Sequence, residues 1–342
     1  MEFLTNYGMF LAKMITTVVA ILAILGFAIT MAAKSKSKEK GKLTIKKLNE
    51  KFDDISESIN EIIQSKSEAK EQKKIDKETQ KKTKSKKEKH PAHRIFVINF
   101  NGDMKASAVA ALREEITAIL LTAKPNDRVL CCLESPGGMV NAYGLAASQL
   151  RRLKDSNIKL VVAVDKVAAS GGYMMACVAD EIIAAPFSII GSIGVVAQLP
   201  NFHRFLDKKH IDFEQLTAGE YKRTLTIFGK NTSKGREKMQ SEIDDTHNLF
   251  KTFIHDNRAI VDIDKVATGE YWYATRALDL KLVDQIKTSD DYILSAKDEF
   301  DIYEMQYHIK KPLTKKFSDT ASSFVSQFLR NDITIKARHP IQ

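Results

Sequence analysis

The chain has 342 residues, 44% of them apolar, 28% charged and 8% aromatic. That length suggests two domains or one domain with appendages, and the composition excludes a wholly disordered or collagen-like chain. Most of the net charge of +10 lies in one stretch: residues 34–93 hold 19 Lys against 11 Asp and Glu, residues 1–33 sum to zero, and residues 94–342 keep only +2, so a nucleic-acid-binding domain is not supported.

In chain order, Met14 to Ala33 form 20 consecutive residues without a charge. At about 1.5 Å of rise per residue they span roughly 30 Å, the thickness of a hydrocarbon core. An uncleaved anchor in a lipid bilayer is one reading; the other is a cleaved signal peptide, whose apolar region is shorter, about 7–15 residues. Only Lys13 precedes the span as a basic side chain, whereas Lys34, Lys36, Lys38, Lys40 and Lys42 come after it. This excess of basic residues on the C-terminal flank places the chain beyond residue 33 in the cytoplasm.

Residues 34–93 read as a charged stalk. Their one aromatic is Phe52, and from Ser65 to Lys89 there is almost nothing apolar to offset the entropy of ordering. Ile45, Leu48, Phe52, Ile55, Ile59 and Ile62 recur at heptad spacing, which predicts a short helix over 45–62. It serves either as a coiled coil between protomers or as an amphipathic helix on the membrane or on the domain.

From Arg94 short apolar runs alternate with helical stretches. Arg94–Phe100, Arg128–Glu134, Ile158–Asp165 and Asp180–Ala185 read as buried strands; Ala106–Ala123, Gly138–Lys154 and Ser170–Val178 read as helices. The alternation predicts an α/β fold of βαβ units with a largely parallel sheet, which binds ligands at the carboxyl ends of its strands. Cys131, Cys132 and Cys177 are too few and too clustered for a disulfide framework and read as buried thiols. No cofactor or metal is implied, because neither a phosphate-cradling loop nor a ligand cluster is present.

Two strand-to-helix turns have the residues for chemistry. Glu134-Ser135-Pro136-Gly137-Gly138 lets the backbone approach a ligand and turns successive N–H groups toward it, which suits an oxyanion hole; it also suits an ordinary βα turn. Ala168-Ala169-Ser170-Gly171-Gly172-Tyr173 resembles a nucleophile elbow, with helix capping by Ser170 as the alternative. A serine needs a base, yet none of the eight histidines (His90, His93, His203, His210, His247, His255, His308, His339) sits in a small-residue turn after a strand. Lys222 follows Gly219 and Tyr221 after a strand-like run, Phe213–Thr217, and is either a base or a surface lysine. An amine serves as a base near neutrality only if its pKa falls from about 10.4 to roughly 7–8.

Ser-Pro-Gly-Gly (135–138), Ala-Ala-Ser-Gly-Gly-Tyr (168–173), Ala-Asp-Glu-Ile-Ile-Ala (179–184), Gly-Ser-Ile-Gly-Val (191–195) and Gly-Glu-Tyr-Lys (219–222) occur in this order. Together with Gly269–Asp284 they resemble the serine–lysine peptidases of the signal peptide peptidase A family. The anchor, stalk and single catalytic copy look most like its SohB-type branch of bacterial inner-membrane proteins. The resemblance covers roughly residues 94–290. It implies a ClpP/crotonase-like superhelix, with Ser170 as nucleophile, Lys222 as general base and Ser192 orienting the lysine. It also implies an oxyanion hole from the N–H groups of Gly171 and of Gly138 or Gly137. Sites would be shared between subunits of a homo-oligomer, and the substrates would be extended, mostly apolar peptides. The family leaves a periplasmic active site open, against the flanking charges. An acyl-CoA enzyme of the crotonase kind and an inactive membrane scaffold are the rival readings. The expected division is an anchor (1–33), a stalk (34–93), a peptidase domain (94–290) and a helical extension (291–342) with apolar positions at Phe317, Phe324, Val325, Phe328 and Leu329.

Overall fold

The computed structural model describes residues 7–11, 13–19, 41–63 and 93–309. The described residues from 43 to 307 form one compact unit, and the described residues outside that range belong to a second. In the second unit, residues 7–11 and 13–19 are helical. Among the described residues no helix is long and apolar enough to cross a membrane. Most of the span expected over 14–33 lies outside the described residues, as do residues 64–92 and the positions from Phe317 to Leu329.

The elements in chain order are β1 (Lys42–Lys47), α1 (Leu48–Ile63), β2 (His93–Asn101), α2 (Val109–Thr122), β3 (Arg128–Glu134), α3 (Val140–Asp155), β4 (Lys159–Val164), β5 (Val167–Ala169), α4 (Gly171–Ala176), β6 (Glu181–Ala184) and β7 (Ile189–Gly191). They are followed by α5 (His203–Lys208), α6 (Ser233–Asn257), α7 (Ile263–Val266), β8 (Tyr271–Tyr273), α8 (Ala274–Asp279), β9 (Gln285–Ile286), α9 (Ser289–Ala296) and β10 (Phe300–His308). A seven-stranded sheet runs β1-β10-β2-β3-β4-β6-β9, with parallel pairing at every step from β10 to β9. A smaller sheet joins β5 and β7 in parallel and β7 and β8 antiparallel.

The strands read as continuous apolar runs because both faces of the main sheet are covered. Alternate side chains enter two cores. Phe96, Ile98, Phe100, Cys131 and Leu133 pack with the helices that follow β2, β3 and β5. Ile95, Val97, Leu130 and Ile302 pack on the other face, against Leu48 and Phe52 of α1 and Tyr292 of α9. Full burial of such side chains stabilises by about 1.5–3 kcal/mol each.

Three findings differ from the sequence expectations. The 45–62 seam is divided: Ile45 lies in strand β1 and not in a helix, Leu48 and Phe52 of α1 pack on the domain, and Ile55, Ile59 and Ile62 are exposed. Asn49 fastens α1 by donating to the carbonyls of Lys297 and Phe300 and accepting from the amide of Ile302. The segment after residue 290 is not wholly helical: β10 lies in the main sheet between β1 and β2, with Ile302 opposite Ile95. The strand-like run Phe213–Thr217 is exposed and joins neither sheet, so it forms no strand: an extended run becomes one only when a neighbouring strand takes up its backbone hydrogen bonds. The three cysteines are free; burial pushes the thiols of Cys132 and Cys177 up to about 12.

Glu115 of α2 is only 3% exposed and accepts a 2.7 Å hydrogen bond from the amide of Tyr307 in β10. Burial raises its carboxyl pKa, against the opposing pull of that amide. A carboxyl whose folded-state pKa lies above its unfolded value contributes stability below the unfolded pKa and loses it as pH rises through the folded one. Glu115→Gln keeps the acceptor oxygen and removes the charge. Thermal melts are expected to show the variant more stable than the parent near pH 7 and little changed near pH 4; equal shifts at the two pH values would contradict this account.

Candidate active site

The candidate site lies where β3 and β5 give way to helices. Ser170 stands between β5 and α4 with φ 52° and ψ −118°, a conformation that costs a non-glycine residue about 1–3 kcal/mol. Its side chain makes no capping hydrogen bond to α4, so the capping alternative is not what the structure adopts. The strained backbone is held from several sides. The Ser170 amide donates to the Gly191 carbonyl at 2.7 Å, the Ala169 amide donates to the Ser135 carbonyl at 3.0 Å, and the Ser170 carbonyl accepts from the Met174 amide. Further along α4, Tyr173 is fully buried and donates to the Leu282 carbonyl at 3.0 Å, and burial raises its phenol pKa. The segment around Leu282, between α8 and β9, is fixed in turn by Arg258, whose guanidinium donates to both carboxylate oxygens of Asp284 and to the Lys281 carbonyl.

Gly137 lies directly against the elbow. A Cβ added to it would stand 2.7 Å from Ser170 Cβ, 2.8 Å from the Ala169 carbonyl oxygen and 2.9 Å from the Gly171 nitrogen, and its φ is +90°. Only glycine fits both the dihedral and the space. The Gly137 amide is engaged by Ser135 Oγ at 3.1 Å. The amides of Gly138 and Gly171 have no acceptor among the described residues. Two unengaged N–H groups beside an exposed-edge hydroxyl are what acyl transfer requires for its oxyanion. Beneath Ser170 a small apolar pocket is walled by Val140, Met174, Val195, Thr246 and Phe250, with Gly138 and Gly171 at its rim.

Ser192 follows Gly191, the residue that accepts the Ser170 amide, and has its own positive φ of 51°, with its amide donating to the Glu270 carbonyl. The fold thus brings Ser170, Ser192, Gly137, Gly138 and Gly171 to one edge. Lys222 does not line the pocket at Ser170. It is exposed, in a turn where its amide donates to the Gly219 carbonyl. That turn is fastened to the first half of α6 by a 2.6 Å Glu220–Lys234 ion pair and by Lys238 over the Tyr221 ring. The Ser170 pocket meets α6 at Thr246 and Phe250 instead. Eight to sixteen helical residues separate the two sets of contacts, about 12–24 Å along the axis. Thr246 and Phe250 carried no functional signal in the sequence; with Ile254 they form an i, i+4, i+8 stripe that marks a packed face and nothing more.

A serine on a strained elbow, with unengaged amides and an apolar pocket beside it, is the arrangement serine-type acyl transfer uses. The chain belongs to peptidase family S49 and is a serine-type peptidase: residues 2–150 match the family's N-terminal model and residues 152–302 its peptidase model. It is 48% identical to a protein of Haemophilus influenzae named "Probable protease SohB", over 98% of each chain. It is 50% identical to the protein of that name from Buchnera aphidicola subsp. Acyrthosiphon pisum, over 96% of this chain and 97% of that one. Among solved structures it resembles the membrane-bound stomatin-specific protease 1510-N, in a lysine-to-alanine mutant with a substrate peptide, at 12% identity and a TM-score of 0.42, covering 68% of this chain and 100% of that one.

Gly137→Ala is expected to reduce peptide hydrolysis by at least about a hundredfold, because the methyl displaces the Ser170–Gly171 peptide. Gly144→Ala on α3, where an added Cβ meets nothing within 4 Å, is the control and should keep parental activity. Comparable activity in the two variants would show that the close approach at residue 137 is dispensable.

Proposed function

We propose that the chain is a membrane-anchored serine endopeptidase working through a Ser170/Lys222 dyad and an acyl-enzyme. The observation that carries this reading is the Ser170 elbow with the unspent amides of Gly138 and Gly171 beside it. The unprotonated Lys222 amine takes the Ser170 proton as Oγ attacks a peptide carbonyl. The two amides receive the oxyanion of the tetrahedral intermediate, and Ser192 hydrogen-bonds the lysine. The intermediate then expels the amine product, which takes up a proton, and water hydrolyses the remaining ester. Gly137 supports the hole through its backbone position and not through its N–H, which Ser135 already occupies.

Because the turn that carries Lys222 and the Ser170 pocket meet α6 at different places, the amine of each site comes from a neighbouring subunit. The long segment between β7 and α6 supports such an assembly: Val196, Phe202, Phe205, Phe213, Leu216 and Phe228 are all exposed in the single chain. The βαβ units are then those of a ClpP/crotonase-like superhelix, and residues 14–33 anchor the oligomer in a bacterial inner membrane. Flanking charges put the active site on the cytoplasmic side. Substrates are extended, mostly apolar peptides, signal-peptide remnants or fragments of misfolded membrane proteins.

Alkaline extraction of membranes should leave the full chain in the pellet and release a chain lacking residues 1–33; release of both would remove the anchor. For the dyad, Ser170→Ala and Lys222→Ala are each expected to lower casein hydrolysis by more than about a hundredfold. Dissociating the two variants and reassembling them together should restore activity to about a quarter of the sites, since a random mixture pairs intact Ser170 with intact Lys222 at that frequency. A fully active single variant would refute the dyad, and two inactive variants that stay inactive after mixing would refute the shared site.

A further inference from the structure

We infer that Ser135 and Tyr143 form a buried hydroxyl relay that positions both oxyanion amides, and that they are positioning residues for the proposed reaction. The inference rests on the reading of Ser170 as nucleophile.

The proton directions follow from the acceptors. Tyr143 Oη donates to the Asp103 carbonyl at 2.8 Å, an oxygen that also takes the Ala106 amide and has no proton to give back. The single phenol proton is therefore used there. In the 2.6 Å contact between the two hydroxyls, Ser135 must then be the donor. Its Oγ, with that proton spent, accepts the Gly137 amide at 3.1 Å. The relay runs from the Gly137 N–H through Ser135 and Tyr143 to the Asp103 carbonyl, and every member is satisfied. Its effect at the site is to hold the Gly137 amide turned inward, so that the next amide, at Gly138, is the one left free.

Tyr143 acts at the second amide as well. A Cβ on Gly171 would collide with its ring, so the ring lies directly against the backbone that presents the Gly171 N–H. One side chain thus supports one donor by its ring and the other by its hydroxyl. Ser135 and Tyr143 are both 0% exposed. The Ser135 backbone is locked between the Val167 carbonyl and the Ala169 amide, and a Cβ on Gly172 would stand 2.5 Å from the Ser135 carbonyl oxygen. A relay this enclosed has no slack, so loss of one hydroxyl is felt at the turn. With Ser135 Oγ gone, the Gly137 amide loses its partner and the Gly137–Gly138 peptide is free to reorient.

The experiment uses the full chain in detergent, with Tyr143→Phe, Ser135→Ala and Ser135→Thr beside the parent and Ser170→Ala. It measures kcat and KM on an apolar fluorogenic peptide, and inhibition by a peptide aldehyde, whose adduct places an oxyanion in the hole. Tyr143→Phe and Ser135→Ala should lower kcat by about 10- to 100-fold with KM within about twofold, and weaken the aldehyde by a similar factor. Ser135→Thr, which keeps the hydroxyl, should recover most of kcat. An unchanged kcat, a parallel rise in KM, or an unaltered aldehyde affinity would overturn the inference. Should Tyr143→Phe not fold, Ser135→Ala decides; if neither folds, the pair serves the core alone and the inference is overturned. A fully active Ser170→Ala would instead refute the site reading itself, whereas an inactive Ser170→Ala beside relay variants of parental kcat would refute only the relay.

Discussion

The close approach of Gly137 to the Ser170–Gly171 peptide governs the whole candidate site. It forces two strand-to-helix turns, separated by more than thirty residues of chain, into van der Waals contact. The parallel pairing of β3 beside β4 and the Ser135–Ala168 bridge bring the turns to the same edge. The strain at Ser170 is tolerated because its neighbours leave the backbone no alternative: Gly191 takes its amide, α4 begins at once, and Tyr173 ties α4 to the Leu282 carbonyl. Local strain of about 1–3 kcal/mol is small against a core in which many apolar side chains are fully buried.

That core separates the parts that must be rigid from those that are not packed. The hydroxyl, the glycine amides and the pocket stand on the sheet and on buried helices. Lys222 stands on an exposed loop held to α6 by one solvent-exposed ion pair and one cation–π contact, interactions worth little in water. In the proposed reading, the site is complete only when another subunit covers the loop. In the proposed assembly a lone protomer is inactive, so the cost of a stray protease in the cell is limited by oligomerisation.

The N-terminal helix shows the same division of labour on a smaller scale. Leu48, Phe52 and Asn49 join α1 to the sheet, so the region after the charged segment 34–41 begins as part of the folded body and not as a free stalk. Its later apolar positions, Ile55, Ile59 and Ile62, remain outside that packing.

The sequence by itself determined the α/β class, the four central strands and the two turns. Parallel strands covered on both faces must be continuous apolar runs, and close backbone approach leaves a glycine signature that is local in the chain. Ser170 and its glycines were legible for the same reason. Only the tertiary structure decided that Phe300–His308 enters the sheet between β1 and β2, because that pairing joins segments some two hundred residues apart and depends on which edge remains open. It alone assigned the Gly137 amide to Ser135 and left those of Gly138 and Gly171 without an acceptor among the described residues, since hydrogen-bond partners follow from three-dimensional neighbours and not from residue type. It also set the turn that carries Lys222 and the pocket at Ser170 on different stretches of α6, a placement invisible in their spacing along the sequence.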